Sequence, residues 1–280
     1  METIKINGKA IYSPKGKAGE YAKYACNFYV GCSNDCEYCY CKKGVLGHAM
    51  GKPTPTLKKC FKNEEDAMLQ FEKELHENLT EFRIHGIFLT FSSDPLLPET
   101  CGLTYAAMDA CTIENVPIML LTKRADFDII PTYYDHYRDI IAIGFTLTGM
   151  DNLEPNASTN AERIYRMKDL AKRGYKTFAS IEPVIDVFKS KRMIEETLGY
   201  CDMYKIGLMS GKKDYIYDDV YKFTNNVNSM ILTQNIIHND SAKVYWKQSV
   251  LHYLWPNNKG KLLRFGYDFC VDADYNLFNH

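Results

Sequence analysis

The sequence has no apolar run approaching the about eighteen residues of a membrane span, so a transmembrane helix is not expected. Its N-terminal stretch, METIKINGKAIYSPKGKAG, lacks the apolar core and small-residue cleavage site of a secretory signal. Net charge is nearly absent: 34 Lys and Arg against 35 Asp and Glu leave −1. The chain as a whole is therefore no polyelectrolyte binder of nucleic acid or of an anionic membrane. Internal repeats, low-complexity tracts and long linkers are missing too. These absences lead us to expect a cytoplasmic protein, where thiols stay reduced, so its ten cysteines should not form a disulfide framework. Clustered cysteines are then metal ligands or catalytic groups, and scattered ones are small buried hydrophobes.

What is present fits an ordinary globular chain of 280 residues, 46% hydrophobic and 25% charged, with ample room for a core. Short apolar runs alternate with longer patterns at helical spacing. Residues 24–32, 85–91, 116–122, 139–148, 175–185 and 203–209 read as six strands. Residues 63–82, 99–115, 158–174 and 190–200 read as helices, the third with Ser158 or Thr159 as N-cap and a stop at Gly174. Alternating strands and helices imply βαβ crossovers and a parallel sheet. Six β/α units are too few for a closed eight-stranded barrel and suit an open partial one. The expected organisation is a barrel with its lead-in over residues 1–210 and a C-terminal α/β extension over 211–280. Ligand sites in parallel α/β folds lie beyond the C-terminal strand ends. Cys32, Ser92 to Asp94, Lys123, Thr148 and Glu182 all fall just past such ends.

The stretch NFYVGCSNDCEYCYC, residues 27–41, holds four cysteines. Cys32-x3-Cys36-x2-Cys39 puts three thiolates on one loop. Three sites are open to it. A structural zinc site needs a fourth ligand, from Cys41 or Cys26, because no second Cys-x2-Cys or His-x3-His follows. An electron-transfer iron–sulfur cluster needs four cysteines as well. A four-iron cluster on three cysteines leaves one iron open to a substrate or cofactor, and an open position separates catalytic from structural metals.

Cys-x3-Cys-x2-Cys with an aromatic before the third Cys resembles the radical S-adenosylmethionine (SAM) superfamily. The wider string GEYAKYACNFYVGCSNDCEYCYC resembles its spore photoproduct lyase-like group. The likeness continues through FSSDPLLPE (91–99), LLTKR (120–124), LEPNASTNAERI (153–164) and SIEPVID (180–186), covering roughly residues 19–209 in order. It implies a partial (β/α)6 radical SAM barrel with a 4Fe-4S cluster on Cys32, Cys36 and Cys39. It further implies reductive cleavage of SAM to a 5′-deoxyadenosyl radical that abstracts hydrogen from a substrate. A low-potential electron donor of the flavodoxin or ferredoxin type follows as a partner.

The resemblance also assigns side chains. Ser92, Ser93 and Asp94 stand where the superfamily contacts SAM's amino group, against the alternative of a plain strand-to-helix turn. Lys123 matches a lysine aimed at SAM, and Arg163 an arginine that holds its carboxylate by a bidentate fork. Thr146 and Thr148 alternate on one strand, so both could face the interior and touch the ribose. Glu182 is a candidate for SAM, a neighbouring cation or substrate, and Val184 for the adenine. Tyr38 and Tyr40 flank Cys39, and in the lyases the matching tyrosines serve a hydrogen-atom relay. Packing that shields the cluster is the other role open to them.

One departure bears on the substrate. Where spore photoproduct lyase has a cysteine that returns hydrogen to its product, this chain has Phe91, whose ring has no hydrogen to give. The reaction expected here is therefore on a different substrate, with Cys101 or Cys41 as the thiols that could substitute. With 31 residues ahead of Cys32 there is no room for a cobalamin domain, and beyond residue 209 the sole cysteine is Cys270. The tail over residues 244–269 sets Trp246, Tyr253 and Trp255 among Lys247, Lys259, Lys261 and Arg264. Aromatic faces with cations are what nucleobase stacking and phosphate contact require. A nucleic acid or nucleotide is thus one candidate substrate. Peptides or small molecules, or a closed metal-binding module, are the others.

Overall fold

The computed structural model describes residues 4–127, 138–212, 214–257, 267–273 and 275–278. Its strands are β1 (Ile11–Tyr12), β2 (Ala25–Cys26), β3 (Tyr29–Val30), β4 (Thr56–Leu57), β5 (Ile87–Leu89), β6 (Ile118–Thr122), β7 (Ile141–Thr146), β8 (Lys176–Val184), β9 (Met203–Leu208) and β10 (Lys243–Trp246). Its α-helices are α1 (Gly44–Met50), α2 (Glu64–Glu77), α3 (Leu79–His85), α4 (Cys101–Ile113), α5 (Asn160–Lys172), α6 (Val187–Thr197), α7 (Tyr217–His238) and α8 (Gln248–Leu254). Among the described residues the main sheet has the order β1-β2-β5-β6-β7-β8-β9-β10. Every pairing from β2 to β10 is parallel, and β1 closes one edge antiparallel. This is the expected partial α/β barrel, extended by one strand at each edge, β1 and β10.

The two faces of the sheet follow from the period-2 alternation of side chains. Ile87, Leu89, Ile118, Leu120, Ile143 and Ile206 point to the helices and join the larger core. Phe88, Met119, Ala142, Phe178, Met203 and Tyr245 point to the concave side. Tyr21 from the N-terminal segment and Val271 and Leu277 from the C-terminal segment pack on that concave cluster and fill it. Continuing the same alternation toward the strand ends gives Thr146, Ser180, Glu182 and Lys247, the polar residues of the rim. Gly144 belongs to this inner face because the Phe178 ring lies across it, with a ring atom 2.2 Å from where a Cβ would stand. Gly144→Ala is expected to destabilise the fold by about 1–3 kcal/mol through overpacking, measured by chemical denaturation.

Three elements differ from the sequence reading, and a choice it left open, the cap of α5, is decided. The strand expected over 24–32 is broken: β2 stays in the main sheet, while β3 leaves it and pairs with β4. Asn27 makes the break, its side chain donating to the Tyr12 hydroxyl at 2.7 Å and accepting from Phe91 N at 2.7 Å. The helix expected over 63–82 is two, because the Asn78 side chain donates to Glu74 O at 3.1 Å and its backbone leaves the helical region. Thr159, not Ser158, caps α5, in a reciprocal box with Glu162. The segment beyond residue 210 holds α7 and then β10, which adds to the main sheet beside β9. Among the described residues no helix is long and apolar enough to cross a membrane.

Candidate active site at the C-terminal rim

A cavity of about 330 Å³ opens at the C-terminal ends of the parallel strands, within the roughly 300–1,000 Å³ of small-molecule sites. Cys32, Cys36 and Cys39 line it, facing the rim residues Ser93, Lys123 and Glu182. The cysteine loop reaches this place because Gly31 turns the chain with φ +90, a left-handed conformation that glycine adopts freely. A Cβ there would also stand 2.6 Å from Thr54 O. Backbone bonds from Gly31 N to Ser92 O (3.1 Å) and from Cys32 N to Lys52 O (3.0 Å) fix the entry to the loop. Its far side is latched to the 151–157 turn, Glu37 N donating to Leu153 O at 2.9 Å and the Asn156 amide to Ser33 O at 3.0 Å.

The cysteines are electrostatically unequal. Burial, with the Asp94 charge adding to it, pushes the Cys32 thiol up to about 12. Burial raises Cys36 too, partly offset by Lys123. Cys39 is lowered to about 6, chiefly because the Cys41 thiol hydrogen-bonds to it. Cys41 is buried, and its sulfur also lies 3.9 Å from Phe91 O. Cys26 is fully buried on β2 and faces the helix-side core, away from the cavity, so it is no fourth ligand. Among the described residues no three Cys, His, Asp or Glu side chains converge as ligands of a single ion. A multi-iron cluster asks for something else, one thiolate per iron, and three cysteines on one cavity-lining loop match that donor set.

The remaining expected site residues divide. Asp94 is a buried hub: Oδ1 accepts from Thr122 Oγ1 (2.6 Å) and Leu96 N (3.1 Å), and Oδ2 from Asn34 Nδ2 (2.8 Å) and Lys123 N (2.7 Å). Ser92 is spent on Tyr29 O at 2.5 Å. Ser93 Oγ, in contrast, is buried without a hydrogen-bond partner among the described residues, as is Asn34 Oδ1. Both residues line the cavity, and an unpaired buried acceptor costs about 1–3 kcal/mol. Such atoms fit a cavity that receives a ligand with N–H or O–H donors, as SAM has. Lys123 lines the cavity with its ammonium 5.6 Å over the Tyr38 ring. Burial pulls its pKa down, but the Cys36 and Glu154 charges outweigh this and hold it above the ordinary lysine value.

Arg163, Thr148 and Val184 do not reach the cavity. Arg163 is completely buried on α5, and its guanidinium donates to Glu154 and to Thr146 O, leaving no fork for a carboxylate. Thr148 lies beyond the end of β7, where the chain turns. Its hydroxyl donates to Glu154 at 3.2 Å, so only Thr146 of the two threonines lines the cavity. Val184 would share the inner face of β8 with Ser180 and Glu182, but a register shift between Ile181 and Val184 turns it into the helix-side core. Tyr38 and Tyr40 both line the cavity. The Tyr38 hydroxyl is bound to Glu154, and that of Tyr40 to Phe91 O. Burial first, then the Glu154 charge, hold the Tyr38 phenol well above its ordinary value.

Glu182, expected at the site, is joined there by Tyr21, Lys205 and Lys247, which the sequence reading did not assign to it. Glu182 accepts from the Tyr21 hydroxyl at 2.8 Å and from Lys247 at 2.6 Å, and the Lys247 ammonium lies 4.1 Å over the Tyr21 ring. Lys247 follows the apolar run of β10 as Lys123 follows that of β6, a signal that could have placed it. Beneath it Lys205, sealed between the Tyr21 and Tyr245 rings, is lowered to about 7 by burial and by Lys247. Phe91 stacks on Phe88 at 4.5 Å and meets Tyr21 edge-on at 5.9 Å. Cys101 is not among the cavity-lining residues.

The open parallel barrel that carries this rim has counterparts of known structure. Spore photoproduct lyase complexed with dinucleoside spore photoproduct superimposes with a TM-score of 0.55 at 17% identity, covering 84% of this chain and 78% of the lyase. A cysteine-to-serine variant of that lyase gives 0.58 at 16% identity, over 87% of this chain and 80% of the variant. The fold is that of the radical SAM enzymes. The radical SAM fold extends to SuiB of Streptococcus suis bound to S-adenosylmethionine, with a TM-score of 0.53, 13% identity, and coverage of 81% of this chain and 47% of SuiB. In sequence, an uncharacterized protein of Methanocaldococcus jannaschii is 25% identical over 249 residues, 81% of this chain and 88% of the relative. No family model matches the sequence.

Proposed function

We propose that this protein is a radical SAM enzyme that holds a 4Fe-4S cluster on Cys32, Cys36 and Cys39 and acts on an anionic substrate of the nucleotide or nucleic-acid class. One observation carries the reading: three cysteines of one loop line the same cavity as the unpaired acceptors Asn34 Oδ1 and Ser93 Oγ, at the rim where parallel α/β folds bind ligands. Cys32, Cys36 and Cys39 would hold the cluster, which when bound would supply an electron, received from a flavodoxin- or ferredoxin-type donor, for reductive cleavage of SAM. The chain's own residues orient and protect. Asp94 holds the cysteine loop through Asn34, Glu154 fixes Tyr38 against it, and Phe91 with Tyr21 walls the cavity with rings.

Charge supports the substrate class. Six lysines line the cavity (Lys17, Lys42, Lys43, Lys52, Lys123 and Lys247), against the carboxylates of Asp35, Asp94 and Glu182. A chain of net charge −1 thus concentrates positive charge at this opening, which draws in phosphate-bearing ligands. The C-terminal aromatics do not share that task as expected. Trp246 is buried, its indole N–H donating to Asn228 at 3.1 Å, and the Tyr253 hydroxyl donates to Tyr215 O at 2.7 Å. Lys259, Lys261 and Arg264 lie outside the described residues.

Anaerobically reconstituted protein with dithionite and SAM should yield 5′-deoxyadenosine, and SAM should change the EPR signal of the reduced cluster. Full iron loading with neither result would sink the enzyme reading. Deuterium transfer from labelled oligonucleotides or nucleotides into 5′-deoxyadenosine would identify the substrate, and transfer only from peptides would overturn the anionic class.

A further inference from the structure

We infer that the lysine-rich segments 4–19 and 38–63 together form the docking surface for an acidic protein that delivers the electron to the cluster site. The inference rests on the radical SAM reading and assigns its electron donor one face of the molecule.

Charge is segregated along the chain. These two segments hold ten lysines and no Asp or Glu, leaving 24 of the 34 Lys and Arg to face all 35 acidic side chains elsewhere. The fold joins them: the Lys58 ammonium donates to Lys9 O at 2.6 Å, in the turn that Ser13 N closes on Ile6 O at 2.8 Å. The second segment grips the cysteine loop at both of its ends. Lys42 N donates to Cys39 O at 3.1 Å, and Lys52 O accepts from Cys32 N at 3.0 Å. Eight of the ten side chains are exposed, and among the described residues only Lys42 is ion-paired, to Asp35. The acidic first turn of α2, Glu64 to Asp66, bounds the surface beyond Lys62. Lys17, Lys42, Lys43 and Lys52 line the cavity. The other six do not, so a ligand inside the cavity leaves their charge unused, and their field suits an anionic macromolecule outside it.

Residue type favours a protein over a nucleic acid. The segments hold no arginine and, among their described residues, one exposed Tyr, Phe or Trp ring, Tyr40. Nucleic-acid tracks pair cations with successive stacking rings. Lysine, a hydrated point charge, suits a brief charge-steered encounter of small area, the class to which electron-transfer pairs belong. Electron transfer also falls off steeply with distance, and a protein seated here lies against the loop that carries Cys32, Cys36 and Cys39. One electron leaves the reduced donor, which is oxidised, and enters the cluster site, which is reduced. No bond forms or breaks in that step.

The double variant Lys9→Glu/Lys59→Glu tests this, since both side chains are exposed and neither lines the cavity. The probes are an acidic bacterial flavodoxin and an acidic plant-type ferredoxin, oxidised, titrated calorimetrically against iron-loaded protein. The parent should bind at least one of them. The variant should bind it about tenfold more weakly at about 50 mM salt, and within about twofold of the parent at about 0.5 M. Lys172→Glu/Lys222→Glu, the same change of charge on α5 and α7, should keep the parental affinity. Dithionite needs no docking surface, so it should drive 5′-deoxyadenosine formation equally in variant and parent, while reduction by the protein donor slows about tenfold. A parent that binds neither probe, a variant that binds as the parent does, or equal loss in the α5–α7 variant would overturn the inference. So would a Lys9→Glu/Lys59→Glu protein that keeps the donor but loses affinity for a single-stranded oligonucleotide, which would give the surface to nucleic acid. Failure of dithionite to yield 5′-deoxyadenosine from the iron-loaded parent would sink the radical SAM reading itself, a result read separately from donor binding.

Discussion

Cys36→Ala is expected to abolish SAM cleavage and to strip most of the iron, whereas Cys41→Ala should retain both. The two thiols are buried to similar degrees, 7% and 6% exposed, so exposure does not separate them. Their partners do. Cys36 belongs to the loop triplet, and its removal leaves two anchors for a cluster that needs three. Cys41 donates its S–H to Phe91 O at 3.9 Å and stands within hydrogen-bond reach of Cys39, the position of a supporting donor. Hydrogen bonds to a ligand sulfur favour the reduced cluster. Cys41→Ala should therefore move the cluster's midpoint potential to more negative values while leaving the iron count unchanged. Iron analysis, 5′-deoxyadenosine yield and a potentiometric EPR titration check all three outcomes. Equal loss in both variants would point to ligation by four cysteines and a closed metal module.

Glu154→Ala should have the largest effect on stability, about 3–5 kcal/mol, because it strips the buried Arg163 guanidinium of its close partner and leaves it only the half-exposed Asp151 at 3.8 Å. The side chains of both partners are completely buried. Glu154 also accepts from Tyr38 and Thr148, so one carboxylate joins α5, the end of β7 and the cysteine loop. Its loss should therefore lower iron retention as well as the denaturation midpoint. Adding Arg163→Met to Glu154→Ala should recover most of the stability, since an apolar pair removes the stranded charge. Iron retention should recover less, because Tyr38 still lacks its acceptor. Chemical denaturation of the iron-free proteins and iron analysis after reconstitution separate the two effects. A double variant no more stable than Glu154→Ala would show that the stranded charge is not the cause.

Arg163 also shows where sequence reasoning stops. An arginine near the start of a helix on the ligand side of a barrel is chemically suited to a carboxylate, and the carboxylate it meets is Glu154, nine residues away. The motif LEPNASTNAERI contains both partners, but nothing in a linear string says that they fold onto each other. Val184 went astray for a geometric reason: one irregular residue step in β8 exchanges the faces of a strand. Thr148 went astray because β7 ends two residues earlier than its apolar run.

The sequence by itself determined which loop carries the three clustered thiols and the architecture beneath it. Cysteine spacing is local, so three thiols on one loop are visible without a fold. Hydrophobic periodicity is local too, so alternating strands and helices, and hence the parallel barrel and its ligand-binding rim, are legible from short windows. Tertiary structure alone decided which polar atoms at that rim are already occupied. Asp94 and Arg163 look available in the sequence and are saturated by neighbours brought from other strands and turns. Ser93, Asn34 and the Glu182–Lys247 pair line the cavity, and distant segments either meet them or leave them unmet. A buried polar group is defined by its partners, and partnership across 60 or more residues, as between Asn34 and Asp94 or Glu182 and Lys247, is written only in the packed chain.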